Sequence, residues 1–401
     1  MEHFAVVQSI IRAGLAGDRE AFDKQVGRLR ARLEKTGDKK SAATIDRLLK
    51  SATETKDMQP SRVEVSRGQI RGERLTPETH PPLDRETGAQ LCSIEFFDSI
   101  APSPIVDPGV ENTIEGVLAE WTNATALQDV GVEPTRSLLI FGPPGSGKTL
   151  TARHLASRLG LPLLTARIDG LISSFLGTTA RNIANLFEFA NRYACLLLLD
   201  EFDAIAKVRD DPQEIGEIKR VVNTLLQNLD NRRDYGITIA ITNHDRLLDP
   251  AVWRRFETQV HIGEPELAAR GAMIERFLQP LPTTKETREV FSHCLRGRSG
   301  ADVERICTSV KRALALSRDT HDAPGLFRAL STVLSRMPSL ESDAARFLAT
   351  DPDTYISFVA NDPDFGLTQK SLAAATGYNQ SRISDLKKMK KHIAPQEAAN
   401  A

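Results

Sequence analysis

The stretch Leu138-Leu139-Ile140-Phe141-Gly142-Pro143-Pro144-Gly145-Ser146-Gly147-Lys148-Thr149-Leu150 decides the fold. From Gly142 to Thr149 it is an unbroken G-x-x-x-x-G-K-[ST] loop, and its flanks are those such a loop requires. Leu138 to Phe141 reads as a buried strand running in, and Thr149 to Leu159 as a helix running out. Glycines let the backbone wrap a β-phosphate and aim N–H groups at it, helped by the positive end of the following helix. Lys148 is suited to neutralising β- and γ-phosphate oxygens, and the Thr149 hydroxyl to ligating magnesium. The loop therefore predicts a nucleotide site made of Gly142, Pro143, Pro144, Gly145, Ser146, Gly147, Lys148, Thr149 and Leu150.

About fifty residues on comes Cys195-Leu196-Leu197-Leu198-Leu199-Asp200-Glu201. A continuous apolar run is the pattern of a central parallel strand, covered on both faces, whose C-terminal end faces the ligand. Two carboxylates at that end divide the work. Asp200 is read as holding magnesium through water, and Glu201 as the base that polarises an attacking water. A third strand, Ile237 to Ile241, ends in Thr242-Asn243, where the Asn243 amide can orient that water or simply cap the strand.

Four more segments extend the pattern. They are Gly216-Glu217-Ile218-Lys219-Arg220-Val221-Val222-Asn223 with Leu225-Leu226, Asn243 itself, Leu248-Asp249-Pro250-Ala251-Val252-Trp253-Arg254-Arg255-Phe256, and Ser299-Gly300-Ala301-Asp302. With the two motifs above, they make the chain from about Ile94 to Arg318 resemble the AAA family in its narrow sense. The first looks like the opening helix of the family's second region of homology, and Asn243 matches its sensor-1 position. The third is similar to the arginine-finger segment, in the Arg-Arg-Phe form of the severing and disassembly members. The fourth looks like the sensor-2 segment, where Gly300 and Ala301 let a lid helix approach the adenosine.

This resemblance implies hydrolysis of ATP with Mg2+ and assembly into a homo-hexameric ring. Arg254 and Arg255 then serve the nucleotide of the adjoining subunit; a surface arginine pair making salt bridges is the other reading. Within Leu171-Ile172-Ser173-Ser174-Phe175-Leu176-Gly177-Thr178, the family places its pore-lining loop. Phe175 would grip an extended polypeptide there, with Leu176 beside it and Gly177 giving the turn. An aromatic grip buries area without needing a hydrogen-bond partner, so it tolerates any sequence. The plainer reading of Phe175 is a core residue.

Strand-like and helix-like segments alternate from about Ile94 to residue 262, which predicts an α/β fold with a doubly wound parallel sheet. The expected organisation is an N-terminal helical bundle over 1–52, a linker over 53–93, a P-loop subdomain over 94–262 and a helical lid over 263–330. A helical extension over 331–366, a helix-turn-helix over 367–392 and a tail over 393–401 follow. The N-terminal bundle is either a docking module or decoration. The linker reading rests on Pro60, Pro77, Pro81 and Pro82 in a polar stretch without periodicity.

Leu367 to Leu386 resembles the helix-turn-helix of phage-repressor-like proteins. Leu372 and Ala373 would pack in the first helix, Gly377 would take the turn, and Ile383 and Leu386 would anchor the second helix. Asn379, Gln380, Ser381 and Arg382 then stand at the exposed end where recognition residues sit. Lys370, Arg382, Lys387, Lys388, Lys390 and Lys391 face the single Asp385 in this region. Such an excess favours phosphate contact. Tethering to DNA and a module used only for packing or protein contact are the two readings.

The composition agrees with a soluble multidomain chain. Its 401 residues exceed one compact core, and a net charge of −1 excludes coating of nucleic acid or membrane along the whole length. No apolar run approaches the roughly 20 residues of a bilayer span. The start, Met1-Glu2-His3, has no basic region of the kind that opens a signal peptide. Four cysteines without a Cys-x-x-Cys pair read as reduced thiols in the cytoplasm. With no His-Glu-x-x-His and one P-loop, the leading expectation is a single-ring ATPase that remodels, unfolds or translocates polypeptide, served where needed by a separate peptidase. A DNA-acting initiator or transposition helper and a nucleotide-gated scaffold are the alternatives.

Overall fold

The computed structural model describes residues 26–29, 33, 72–167, 176–203, 215–232, 236–248, 250–317, 320–362, 365 and 367–388. Most of the predicted N-terminal bundle and the Phe175 position lie outside them. Within the bundle, residues 26–29 and 33 are helical.

The α/β layer runs β1 (Ser93–Glu95), α1 (Pro108–Thr122), α2 (Ala124–Asp129), β2 (Ser137–Phe141), α3 (Lys148–Arg158), β3 (Leu163–Arg167), α4 (Leu176–Arg192), β4 (Leu196–Asp200), α5 (Ile215–Arg232), β5 (Thr238–Thr242), α6 (Pro250–Trp253) and β6 (Thr258–His261). The six strands stand in the order β1-β3-β4-β5-β2-β6, with β1 antiparallel to β3 and every other pairing parallel. The sheet is thus the doubly wound one expected.

Strand periodicity explains its two covered faces. Leu138, Ile140, Leu196, Leu198, Ile239 and Ile241 bury toward α1 and α3. Leu139, Leu197, Leu199 and Ala240 alternate with them and bury toward α4 and α5. Because both faces are covered, β4 reads as an unbroken leucine run instead of an alternating one. At the far end of α5, the fully buried Arg232 donates to the carbonyls of Ala190 (2.7 Å) and Cys195 (3.1 Å), stitching the entry to β4.

Along the predicted linker the described residues begin at Gly72. The Glu73 N–H donates to the Arg192 carbonyl (2.8 Å), and the Glu73 carbonyl accepts from the Ala194 N–H (2.9 Å). Leu75 and Leu91 are buried, and the Asn182 amide donates to the Asp84 carboxylate (3.1 Å). A proline-rich polar stretch is held here because its backbone groups find partners on the end of α4.

The helical part comprises α7 (Leu267–Leu278), α8 (Lys285–Cys294), α9 (Gly300–Leu316), α10 (Ala323–Leu334), α11 (Asp343–Thr350), α12 (Pro352–Val359), α13 (Gln369–Thr376) and α14 (Gln380–Lys388). Several begin with a side-chain cap that accepts a backbone N–H, from Thr284, Ser299, Asp322, Ser342, Asp351 and Thr368. One apolar cluster runs from Met273 through Val303, Leu330 and Tyr355 to Leu372, Ile383 and Leu386. Helices α7 to α14 therefore share a single core. Gly377 makes the turn between α13 and α14 in the left-handed region (φ +81°), where a side chain is strained. Among the described residues, no helix is long and apolar enough to cross a membrane.

Candidate active site

Parallel strands β2, β4 and β5 all end at one place, and the chain leaves each of them with chemistry attached. The Gly142–Gly147 loop follows β2, Asp200 closes β4 with Glu201 next, and Asn243 follows β5. Since β5 lies between β2 and β4, Asn243 stands between the loop and the acidic pair. Around them opens a cavity of about 710 Å³, lined by Lys148, Thr149, Asp200, Glu201 and Asn243 on this side.

Lys148 is buried, and its ammonium donates to the carbonyls of Gly142 (2.9 Å) and Pro143 (2.7 Å). Burial pushes its pKa down to about 8, against the opposing pull of Asp200 and Asp203. The Ser146 hydroxyl is buried with no hydrogen-bond partner among the described residues. A buried orphan donor, a lysine turned on its own loop and the N-terminus of α3 together suit phosphate oxygens. Thr149 is exposed and Asp200 half-buried on the same cavity. A hydroxyl and a carboxylate are the hard oxygen donors that magnesium takes, so the residues fit both the triphosphate and its metal.

Glu201 is the one non-glycine residue with positive φ (+53°) among the described residues. Such a backbone costs on the order of 1–3 kcal/mol and persists where its surroundings fix it. Here the Glu201 N–H donates to its neighbour Asp200 Oδ1 (2.9 Å), and the Phe202 N–H donates to the Ile241 carbonyl (2.9 Å). The turn carries Glu201 to the cavity wall. Behind it the Thr242 hydroxyl donates to Asp203 Oδ1 (3.1 Å) and accepts from the His244 N–H (3.0 Å), bracing β4 against β5.

The lid closes the other side. The Ala301 N–H donates to the Gly145 carbonyl (3.0 Å), so the first turn of α9 rests directly on the phosphate loop. Gly145 has φ +75°, and a Cβ there would lie 2.8 Å from Ser299 Oγ and 2.9 Å from Ala301 Cβ. Gly300 and Ala301 line the cavity with Ile105, Met273, Arg276 and Phe277. Arg276 Nη1 donates to the Ser103 carbonyl (2.8 Å) and fastens the loop before α1 to the lid. The apolar slot of Ile105, Met273 and Phe277 was not readable from any local motif, because Ile105 comes from a segment far from α7, which carries the other two.

Arg254 and Arg255 are not on this cavity. Arg254 is exposed, whereas Arg255 donates to the Ala251 carbonyl (3.0 Å) and pairs with Asp230 (3.5 Å). Aromatic contacts anchor their segment, Trp253 on Phe141 (5.1 Å, 82°) and Phe256 on Phe202 (5.9 Å, 85°).

Comparison with known proteins agrees with this geometry. Residues 138–264 match the family model described as ATPase family associated with various cellular activities (AAA). The chain contains an AAA ATPase domain. An uncharacterized AAA family ATPase, y4kL of Sinorhizobium fredii, is 42% identical over 203 residues, 51% of this chain and 61% of that protein. Peroxisomal ATPase pex6 of Schizosaccharomyces pombe is 32% identical over 216 residues, 51% of this chain and 23% of the relative. Proteasome-activating nucleotidase of Methanoculleus marisnigri is 30% identical over 235 residues, 56% of this chain and 57% of the relative. The likeness thus centres on the AAA domain and spans less than two thirds of each relative's length.

Of the remaining predicted residues, Leu176 and Gly177 open α4. At the helix-turn-helix, Asn379 Oδ1 accepts from the Arg382 N–H (2.8 Å) and the Ser381 hydroxyl (3.0 Å), which makes it a helix cap. Arg382 pairs with Asp353, whose carboxyl is held below the usual range by the Tyr378 hydroxyl and Arg382. Gln380 and Ser381 are exposed.

Proposed function

We propose that this chain is an ATP-hydrolysing motor that works as a ring of identical subunits, six by family resemblance, and pulls polypeptide through the ring's centre. The observation that carries the reading is a separation. Phosphate loop, acidic pair and Asn243 line one cavity, while Arg254 and Arg255 stand elsewhere on the same chain. Arg276, the guanidinium on the cavity itself, is engaged with the Ser103 carbonyl, so the one that stabilises charge on the transferring phosphoryl group would come from an adjoining copy.

In this mechanism Lys148 and the amides of the loop hold the triphosphate, and the apolar slot takes the base. Thr149, and Asp200 through water, would hold magnesium, which when bound would neutralise charge on the phosphate oxygens. Glu201 accepts a proton from the attacking water, which Asn243 orients toward the terminal phosphoryl group. Arg254, with Arg255 beside it, meets the charge that develops as that group leaves. Closure of α9 on Gly145 reports the occupied site to the helical part of the chain. Phe175, Leu176 and Gly177 would grip the polypeptide, which is handed on remodelled or to a separate peptidase. The four cysteines are free and buried, which suits a reducing cytoplasmic setting.

Relatives named an ATPase and a nucleotidase support the hydrolytic half of this reading. The mechanical half is tested by Phe175→Ala. Basal ATPase should persist while ATP-dependent unfolding of a tagged model protein is abolished; unfolding at the original rate rejects the pore grip. Glu201→Gln should bind ATP without turnover and hold substrate on the ring.

A further inference from the structure

The cavity beyond the phosphate loop is mostly apolar, with two charged exceptions, Arg276 and Glu304. Glu304 lines it, comes from neither nucleotide motif, and has no role assigned so far. We infer that Glu304 accepts hydrogen bonds from the ribose hydroxyls of the bound nucleotide and makes the site selective for ribonucleotides over deoxyribonucleotides. This rests on the cavity being an ATP site.

Helix register supplies the placement. The Ala301 N–H on the Gly145 carbonyl (3.0 Å) fixes the first turn of α9 against the loop that holds the phosphates. Glu304 is three residues beyond Ala301 and four beyond Gly300, so the three share one helix face. Its Cα is about 4.5 Å farther along the axis than that of Ala301. One step away from the phosphates along a nucleotide is the sugar.

Chemistry excludes the other walls for this task. Ile105, Met273 and Phe277 form the slot for a flat base, and their side chains accept no strong hydrogen bond. Arg276 is a donor only and is engaged with the Ser103 carbonyl (2.8 Å). Arg305, the next residue after Glu304, is committed to Asp302 (2.6 Å) and leaves Glu304 outside that ion pair. Glu304 is solvent-exposed, so its carboxylate stands at the cavity mouth and not against the deep edge of a base. A carboxylate with two acceptor oxygens matches the adjacent 2′- and 3′-hydroxyls of a ribose.

The test uses the full chain and compares dissociation constants for ATP and 2′-deoxy-ATP by titration calorimetry. Loss of one charge-assisted hydrogen bond at an exposed site corresponds to about tenfold in affinity. Wild type should prefer ATP by that factor, and Glu304→Ala should bind both nucleotides equally, at the weaker affinity. Glu304→Gln, which keeps one acceptor oxygen, should fall between them. Equal binding of both nucleotides by wild type, or an undiminished preference in Glu304→Ala, overturns the inference while leaving the ATP site intact. Failure of wild type to bind either nucleotide overturns the ATP-site reading and this inference with it.

Discussion

Phe202, the residue after Glu201, stands edge-on to Phe256, the residue after Arg255, with ring centroids 5.9 Å apart. The acidic turn of the site thus packs against the segment that carries Arg254 and Arg255. Both rings are buried, so a shift of one cannot be absorbed without the other. Phe256→Leu keeps most of the volume and removes an edge-to-face contact worth about 0.5–1.5 kcal/mol. Its ATP affinity should remain near wild type while kcat falls several-fold, as steady-state assays and equilibrium binding on the same sample will read.

The Arg255–Asp230 pair is partly exposed, with side chains 33% and 45% accessible. Pairs of this kind contribute less than about 1 kcal/mol to stability. Asp230→Asn should therefore leave the melting temperature within a few degrees. It should lower kcat nonetheless, because Arg255 is no longer held beside Arg254. An unchanged kcat means that the pair has no part in turnover.

Gly145→Ala forces a methyl group into Ser299 and Ala301 on the lid, at a backbone conformation already unfavourable for a side chain. The Ala301–Gly145 hydrogen bond should break. Affinity for ATP is expected to fall by about tenfold or more, the worth of one net hydrogen bond. Calorimetric titration checks it.

Lys148 gives the free site a pH dependence. Its pKa is lowered to about 8, and bound triphosphate favours the charged amine, so binding raises that pKa again. Below pH 8 the amine is already protonated, and its contribution to affinity is constant. Above pH 8 the competent fraction falls, so the dissociation constant should rise about tenfold per pH unit until the bound-state pKa is reached. Lys148→Met should bind weakly and lose this slope.

Ile383 in α14 is fully buried in the core that also contains Val303 and Leu330. Ile383→Ala should cost about 2–5 kcal/mol. Since the helix-turn-helix pair shares that core with the lid, ATP affinity should drop as well. Thermal unfolding with and without nucleotide will show both losses; a purely local one would leave the nucleotide-bound shift in melting temperature unaltered.

The nucleotide half of the site was legible because its signals are local. The Gly142–Thr149 loop carries its own flanks, and Asp200-Glu201 ends a leucine run that only a central strand explains. The apolar slot was not legible, because Ile105, the Met273–Phe277 face of α7 and Glu304 of α9 meet only through folding. Nor does the Arg255–Asp230 pair announce itself, for a surface aspartate on a helix has no distinguishing neighbour. The apolar positions of the last two helices were readable from their spacing. Spacing names the buried face but not what it buries against, so the common core with the lid emerged only in three dimensions. Order in residues 72–91 was hidden for a related reason: it depends on backbone groups of Glu73, which composition does not reveal.

One continuous core from Met273 to Leu386 has a mechanical corollary. Among the described residues the final pair of helices packs in the same core as α9, so a tilt of α9 carries that pair with it as a spindle carries the hand of a dial. A small tilt at Gly145, where the spindle is seated, is thereby passed on to α14.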